Sequence, residues 1–526
     1  MGDLFRRPQT QWHYALPTRL RQQIINKPLR CKTFQLRRAT TADWRDIGRV
    51  TIDMLPEDVL IDIFDDCVAY VGYSSKYEGW EVLVHVCQRW RYLVFRSPLR
   101  LNLRIRCTAK TPVREKLAIW PPLPMTISHS QYEPSAASTT NCGEDNIIAA
   151  LGHNDRIWEI YLTTPRSLLE SIFVAMQTTF AELKNLHLYA LDDIAPVVPD
   201  SFLGGSAPQL RYLFSARIQF PFPVLRKLLL SAPNLVTLHL IGIPHSAYFS
   251  PEAMVTCLAA LTRLKQLYIG FKSPQSRPSR GRRHPPPIRS VLPDLTKLTF
   301  TGVSEYLEDL VTGIDAPLLN QLSIRFFHQL IFNTPQLVQF IGHTLNDKEY
   351  NGALVFFSDS DLDVTITLRG RDNLLLQLKI SCRQPDWQLS SLAQVCTSSF
   401  PRALIPMLEN LYILKHIHPV HLSRPIWQDD LENNQWSELF HPFTAVKNLY
   451  LSLEFVPRIA LALKELVGER ITEVLPNLQN IFLEDHQVSG SVPEAMQHFI
   501  AVRQLSSRPI AISTWKRPVD TWAPHL

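Results

Sequence analysis

The chain has 526 residues, is 45% hydrophobic and 19% charged, and contains 39 Pro against 18 Gly. That length allows several domains or one long repeat array, and the apolar fraction excludes a wholly disordered chain. No apolar run reaches the ~18 residues a membrane helix needs. The opening residues show neither the apolar stretch of a secretory signal nor, with Arg6 where Ser or Thr belongs, a myristoylation pattern.

Charge is uneven. Residues 1–50 hold 11 Lys+Arg against Asp3, Asp43 and Asp46, a balance of +8 that leaves −2 for the remainder of the net +6. The basic character therefore belongs to a tail. A solvated N-terminal arm is expected, with nucleic-acid or organelle targeting as the alternative. The eight cysteines (Cys31, Cys67, Cys87, Cys107, Cys142, Cys257, Cys382, Cys396) form no C-x-x-C pair. Their scatter fits neither a disulfide framework nor a zinc ribbon, and a cytoplasmic or nuclear compartment is expected.

After the tail, Pro56 stands where a first helical residue loses nothing by lacking an N–H, and Glu57 and Asp58 follow in the first turn, favourable to the helix dipole. Leu60, Ile63, Phe64 and Cys67 make one apolar stripe at helical spacing. A second helix is expected from Trp80 to Val94, with Leu83, Val86, Cys87, Trp90 and Val94 on its apolar side and His85, Gln88, Arg89 and Arg91 opposite; Ser97-Pro98 stops it. Two short helices with large apolar faces suit a module that shares its surface with a partner.

Leu55-Pro56, Leu60 and Ile63-Phe64, followed by Leu83, Val86-Cys87 and Arg89-Trp90, resemble an F-box of the kind common in large fungal F-box families. The resemblance implies a helical module that docks on a Skp-family adaptor, and through it on a cullin, in an SCF-type ubiquitin ligase. It assigns the adaptor contacts and the motif's small core to Leu55, Pro56, Leu60, Ile63, Phe64, Leu83, Val86, Cys87 and Trp90. One departure is the stretch 65–82 between the two helices, longer than the brief turn of the usual motif. The alternative is an ordinary helical cap on the domain that follows.

From residue 157 a phrase recurs, apolar-x-x-apolar-x-apolar. Its starts at 157, 183, 210, 235, 264, 295 and 319 are 24 to 31 residues apart, and it returns at 375, 408, 446 and 478. That spacing is near the leucine-rich-repeat range, and the phrase is the strand part of such a unit. Helices are expected between phrases, one opened by Ser250-Pro251-Glu252 and another by Thr334-Pro335. Between 324 and 375 the pattern blurs; 353–357 and 362–368 read as strands, and one degenerate repeat is expected. The Pro-, Arg- and Ser-rich segment 272–291 is expected to be a solvated loop, its Arg280, Arg282 and Arg283 otherwise meeting an acidic partner or serving nuclear import.

In each phrase the residue between the last two apolar positions should face a concave solvent side: Tyr161, His187, Phe214, His239, Tyr268, Thr299, Ser323, Lys379, Tyr412, Tyr450 and Phe482. Tyr161, His187, His239, Tyr268, Tyr412, Tyr450 and Phe482 are the candidate substrate face. A row of rings rimmed by amides is either a protein-binding surface or a set of side chains packed on one another. The row carries no basic stripe, which argues against duplex nucleic acid.

Catalytic strings are absent: no P-loop, H-E-x-x-H, G-x-S-x-G or G-x-G-x-x-G occurs. His416, His418 and His421 match no common zinc spacing and read as loop histidines. Asp359, Asp361 and Asp363 open like a calcium loop, but Val364 and Gly370 stand where its Gly and Glu belong, so the segment reads as a strand with its acids toward solvent.

The expectation is an α/β repeat protein: a basic tail (1–50), a short helical F-box (51–98), a connecting segment or first degenerate repeats (99–150), an irregular leucine-rich-repeat solenoid (151–515) and a C-terminal tail (516–526). It is a non-catalytic substrate-recognition subunit with no metal, cofactor, membrane or nucleic acid, or a repeat scaffold without ligase association.

Overall fold

The computed structural model describes residues 52–517 except 71–78, 99, 131–141, 279–288, 328, 330–331, 346–348, 359–362, 371–374, 383–386, 399, 401–403, 416–432, 467–472 and 485–493. The basic tail, the centre of the Pro/Arg-rich loop with its three arginines, Asp359, Asp361 and the three clustered histidines all lie outside the described residues. The chain divides into two compact units between Leu103 and Arg104.

Among its described residues the first unit has three α-helices, Glu57–Tyr70, Gly79–Leu83 and Gln88–Arg96. The single helix expected from Trp80 to Val94 is thus two. The break falls at Cys87, whose extended backbone (φ −157°, ψ 171°) cannot continue a helix and whose Sγ accepts the Trp90 N–H at 3.5 Å as an N-cap. A Cys in the apolar stripe looks like an interior residue by spacing alone, which is why the break is invisible to periodicity.

Among its described residues the second unit is built on a sheet of 16 strands. Its first half comprises β1 (Ile105–Cys107), β2 (Met125–Ser130), β3 (Ile157–Thr164), β4 (Asn185–Ala190), β5 (Tyr212–Ala216), β6 (Thr237–Ile243) and β7 (Gln266–Phe271). The small β8 (Ser290–Val291) precedes β9 (Lys297–Gly302), and β10 (Ile314–Asp315) precedes β11 (Gln321–Phe327); β8 and β10 pair only with each other. Then follow β12 (Tyr350–Ser358), β13 (Asp363–Gly370), β14 (Leu375–Ser381), β15 (Asn410–Lys415), β16 (Asn448–Leu451), β17 (Asn480–Glu484) and β18 (Ala511–Trp515).

Every neighbouring pair from β1 to β11 through β9 is parallel, as is every pair from β12 through β15 to β18. Parallel neighbours need a crossover, and short helices such as Phe222–Leu230, Pro251–Leu258 and Ser304–Thr312 supply it. In several phrases the first leucine closes the entry turn: Leu210 N–H bonds Ala207 O, Leu235 bonds Ala232 and Leu478 bonds Leu475, each at 3.1 Å. Those leucines are buried, and Leu186, Leu188 and Ala190 of β4 point the same way with no exposure, while Asn185, His187 and Tyr189 alternate to the other face. One sheet face is therefore closed by apolar packing and the other is open. A long, largely parallel sheet with helical crossovers is compatible with a leucine-rich-repeat-like solenoid.

Between 324 and 375 there is no degenerate repeat. The spatial order is β11-β14-β13-β12-β15, with β14–β13 and β13–β12 antiparallel. The chain leaves β11, crosses by helix Pro335–Leu345 to β12, and returns through β13 to β14, which lies beside β11. It then crosses again by helix Trp387–Ser398 to β15, beside β12. This meander shifts the register of the expected row. Ser323 pairs with Gln377, so Gln377, and not Lys379, continues it; Lys379 stands opposite Arg325.

Candidate functional site

In the N-terminal unit the first helix buries only part of its expected stripe: Ile63 is half-buried and Cys67 exposed. Leu60 and Phe64 are fully buried, and the Phe64 ring lies 4.8 Å from that of Trp90. Trp80, Leu83, Val84, Leu93 and Val94 are buried with them, and Trp80 meets Phe95 edge-on at 6.1 Å. Arginines tie the ends: Arg89 donates to Leu55 O at 2.7 Å and Arg91 to Val84 O at 2.9 Å. The nine residues assigned by resemblance thus fall into three groups. Leu60, Phe64 and Leu83 are interior; Leu55, Ile63, Cys87 and Trp90 are half-buried; Pro56 and Val86 are exposed. Sequence reasoning did not single out Val59, Val82 and Tyr92, which are 39%, 47% and 58% exposed, beside Val86 at 53%.

On the open face the sheet register lines up one row: Tyr161, His187, Phe214, His239, Tyr268, Thr299, Ser323, Gln377, Thr367, Leu354, Tyr412, Tyr450 and Phe482. The rings form two separate groups. In the first, Tyr161 stacks on His187 at 3.9 Å and His187 on Phe214 at 4.1 Å; His239 then meets Phe214 and Tyr268 edge-on, each at 6.0 Å. In the second, Tyr412 stacks on Tyr450 at 4.2 Å and Tyr450 on Phe482 at 4.5 Å. The ~4.8 Å strand spacing sets these distances. Stacking hides ring faces and leaves edges, so only Tyr161, at the end of its stack, is 46% exposed.

Burial keeps the imidazoles uncharged. His187 and His239 are both lowered to about 4, mainly because a charged ring would lose water there, and secondarily by His239 on the first and the Lys297 ammonium on the second. Burial likewise pushes the Tyr412 phenol up to about 12, with Tyr450 adding to the effect.

The amides beside the row form ladders of their own. Asn480 donates to Asn448 at 2.8 Å and Asn448 to Asn410 at 2.9 Å. Asn185 donates to Glu159, which also holds Arg104 at 2.7 Å.

Two charged clusters flank the second ring group. Asp363, read from sequence as solvent-facing, is 1% exposed and ion-paired to Lys379 at 2.7 Å and Arg325 at 3.0 Å. Its partners come from β14 and β11, strands that the meander alone brings beside it. At the C-terminal end Arg517 binds Glu484 (Nε to Oε1, 2.9 Å), donates to Ser452 Oγ at 2.8 Å and reaches Lys415 O at 3.1 Å. This pins Trp515 edge-on over Tyr450 and Tyr412, at 5.3 and 6.0 Å.

Among the described residues no group of His, Cys, Asp or Glu side chains is placed to hold a metal ion, and no helix is long and apolar enough to cross a membrane. The buried thiols Cys107, Cys382 and Cys396 are all pushed up by loss of water.

No known protein family matches the sequence, and no curated protein does. Among solved structures the chain is similar to the leucine-rich repeat-containing protein LegL7 from Legionella pneumophila, at 14% identity over 69% of this chain and 95% of that one, with a TM-score of 0.25.

Proposed function

We propose that the chain is a non-catalytic interaction subunit with two binding surfaces. The repeat array holds a partner protein on the open face of its sheet. The N-terminal helices dock on a Skp-family adaptor as an F-box does, making the partner a substrate of an SCF-type ubiquitin ligase. The gain would be effective concentration, with the chemistry carried out by the recruited enzyme.

The observation that carries the first half is the row of ring edges and amides on the open sheet face, in two groups separated by the buried Thr367 and Leu354. Such amphipathic edges bury area at low entropy cost. The ligase half rests on the residues that resemble the motif and on the apolar side chains left in water at Val59, Val82, Val86 and Tyr92. A scaffold that never meets a ligase keeps the first surface and lacks the second.

Co-expression with a recombinant Skp-family adaptor tests this. The wild-type chain is expected to co-purify with the adaptor, and Val86→Glu with Tyr92→Glu to abolish that without unfolding, since both side chains are exposed. Trp90→Ala is a poorer probe because it removes the packing on Phe64. A wild-type chain that does not bind the adaptor leaves the scaffold and removes the ligase.

A further inference from the structure

The two ring groups differ in what surrounds them. The second is already occupied: the chain's own Trp515 lies edge-on over Tyr450 and Tyr412, held there by Arg517. It shows what a ladder of stacked rings on this sheet accepts, namely the edge of another aromatic side chain. On the first group, Tyr161 to Tyr268, no Trp lies among the described residues, and the ring that meets it edge-on is the neighbouring Tyr212, 6.1 Å from His239.

The first group also has a cationic border, whereas at the entry to the second Lys447 is paired with Glu409 at 2.6 Å. The backbone bonds linking strand entries run from Trp158 O to Lys184 N, Lys184 O to Arg211 N, Arg211 O to Val236 N and Val236 O to Lys265 N, at 2.8 Å each. They continue from Lys265 O to Lys297 N at 3.0 Å. This rim places Lys184, Arg211, Lys265 and Lys297 beside the aromatic row. Reading only the central position of each phrase missed it, because the rim residues sit two and three places earlier. Lys184 Nζ lies 3.9 Å from the Trp158 ring along the rim, and Lys297, paired with Gln266, alternates with buried Leu298 on the side of the ring row. Arg211, Lys265 and Lys297 are exposed and make no ion pair with a described residue.

Acids do not offset the rim. In the rim row and the first two open-face rows from β2 to β11 the acid is Glu159, which is neutralised by Arg104. Asp155, Glu182 and Asp294 lie in the turns that enter the strands, where Arg156 and Arg263 accompany them. A cationic border along an aromatic row attracts and orients a negatively charged chain.

We propose that this half of the open face, from β3 to β9, docks an extended acidic segment of a partner protein. An aromatic side chain of that segment would set its edge on the Tyr161–His187–Phe214 stack, and its carboxylates would lie along Lys184, Arg211, Lys265 and Lys297. The proposal deepens the reading of the open face as a protein-binding surface and rests on it; it is independent of the adaptor.

The test pans phage-displayed random dodecapeptides on the full-length chain, then measures the recovered peptides by fluorescence anisotropy. The peptides are expected to be rich in Asp and Glu and to carry a Trp, Tyr or Phe. The triple variant Arg211→Glu, Lys265→Glu, Lys297→Glu, whose sites are all exposed, is expected to weaken them at least about tenfold, as is raising salt from roughly 0.1 to 0.5 M. Tyr161→Ala is expected to weaken them at unchanged salt dependence. Peptides without acidic enrichment that still respond to Tyr161→Ala overturn the acidic partner and keep the face. Peptides indifferent to both variants, or no recovered peptide, overturn both. A fifteen-nucleotide oligouridine that binds the wild type more tightly than any peptide, and fails on the triple variant, overturns the proposal in favour of single-stranded nucleic acid.

Discussion

Glu308 closes the start of a helix it does not belong to. From helix Ser304–Thr312 its Oε1 accepts the Leu337 N–H at 2.7 Å and its Oε2 the Gln336 N–H at 3.0 Å. Those are first-turn donors of helix Pro335–Leu345, which have no partner within their own helix. The sequence signal for this helix was Thr334-Pro335, yet the acceptor comes from the preceding repeat. Glu308→Ala is expected to cost about 1–2 kcal/mol by urea denaturation. Glu308→Gln, which keeps one good acceptor, is expected to cost less.

Asp363 links β13 to β14 and β11 through Lys379 and Arg325. Asp363→Ala leaves a largely buried ammonium unpaired, at an expected cost of about 3 kcal/mol. Asp363→Leu combined with Lys379→Met removes the buried pair, leaves the 44%-exposed Arg325 to solvent and is expected to recover most of that loss. Guanidinium denaturation of the singles and the double gives the comparison; equal losses in all would show that the pair does not matter.

Acid should weaken the array through its imidazoles. His187 and His239 titrate near 6.5 when unfolded and about 4 when folded. As pH falls through 6.5 the unfolded chain takes up protons that the folded chain refuses, so stability is full above that value and declines toward 4. The loss is at most about 3 kcal/mol per ring. Denaturation midpoints between pH 7 and 4 are expected to fall for the wild type and to flatten for His187→Phe with His239→Phe.

Arg517 is the clasp of the C-terminal strand. Glu484 is 4% exposed, so Arg517→Ala strands a buried carboxylate and is expected to cost about 2–3 kcal/mol. The effect should be local: amide exchange in β17 and β18 is expected to quicken while β3 to β7 keep their protection. Uniform acceleration across the sheet would refute a local clasp.

The repeat was legible because most phrases carry a buried leucine in the entry turn and alternation along the strand; β3 to β7, β9, β11 and β15 to β17 follow it, with Ser215 in place of the last apolar residue in β5. What escaped depends on contacts between distant segments. Antiparallel β12 and β13 share the two-residue period of their parallel neighbours, so nothing local reports that the chain doubles back. Asp363 alternates like a solvent-facing acid, and only the return of β14 beside β11 encloses it. The ring row was legible residue by residue, but its division into two stacks was not, nor was the rim of Lys184, Arg211 and Lys265 that borders one of them.

The doubled-back strands also govern the sequence of events during synthesis. A solenoid with simple neighbours can grow at its finished edge as each repeat leaves the ribosome. Here β12 emerges before either strand that separates it from β11, with a gap of about 14 Å and no ladder to join. The nascent array must therefore pause at β11 until β14 arrives, and a chain cut anywhere between the two would end in an unfinished edge.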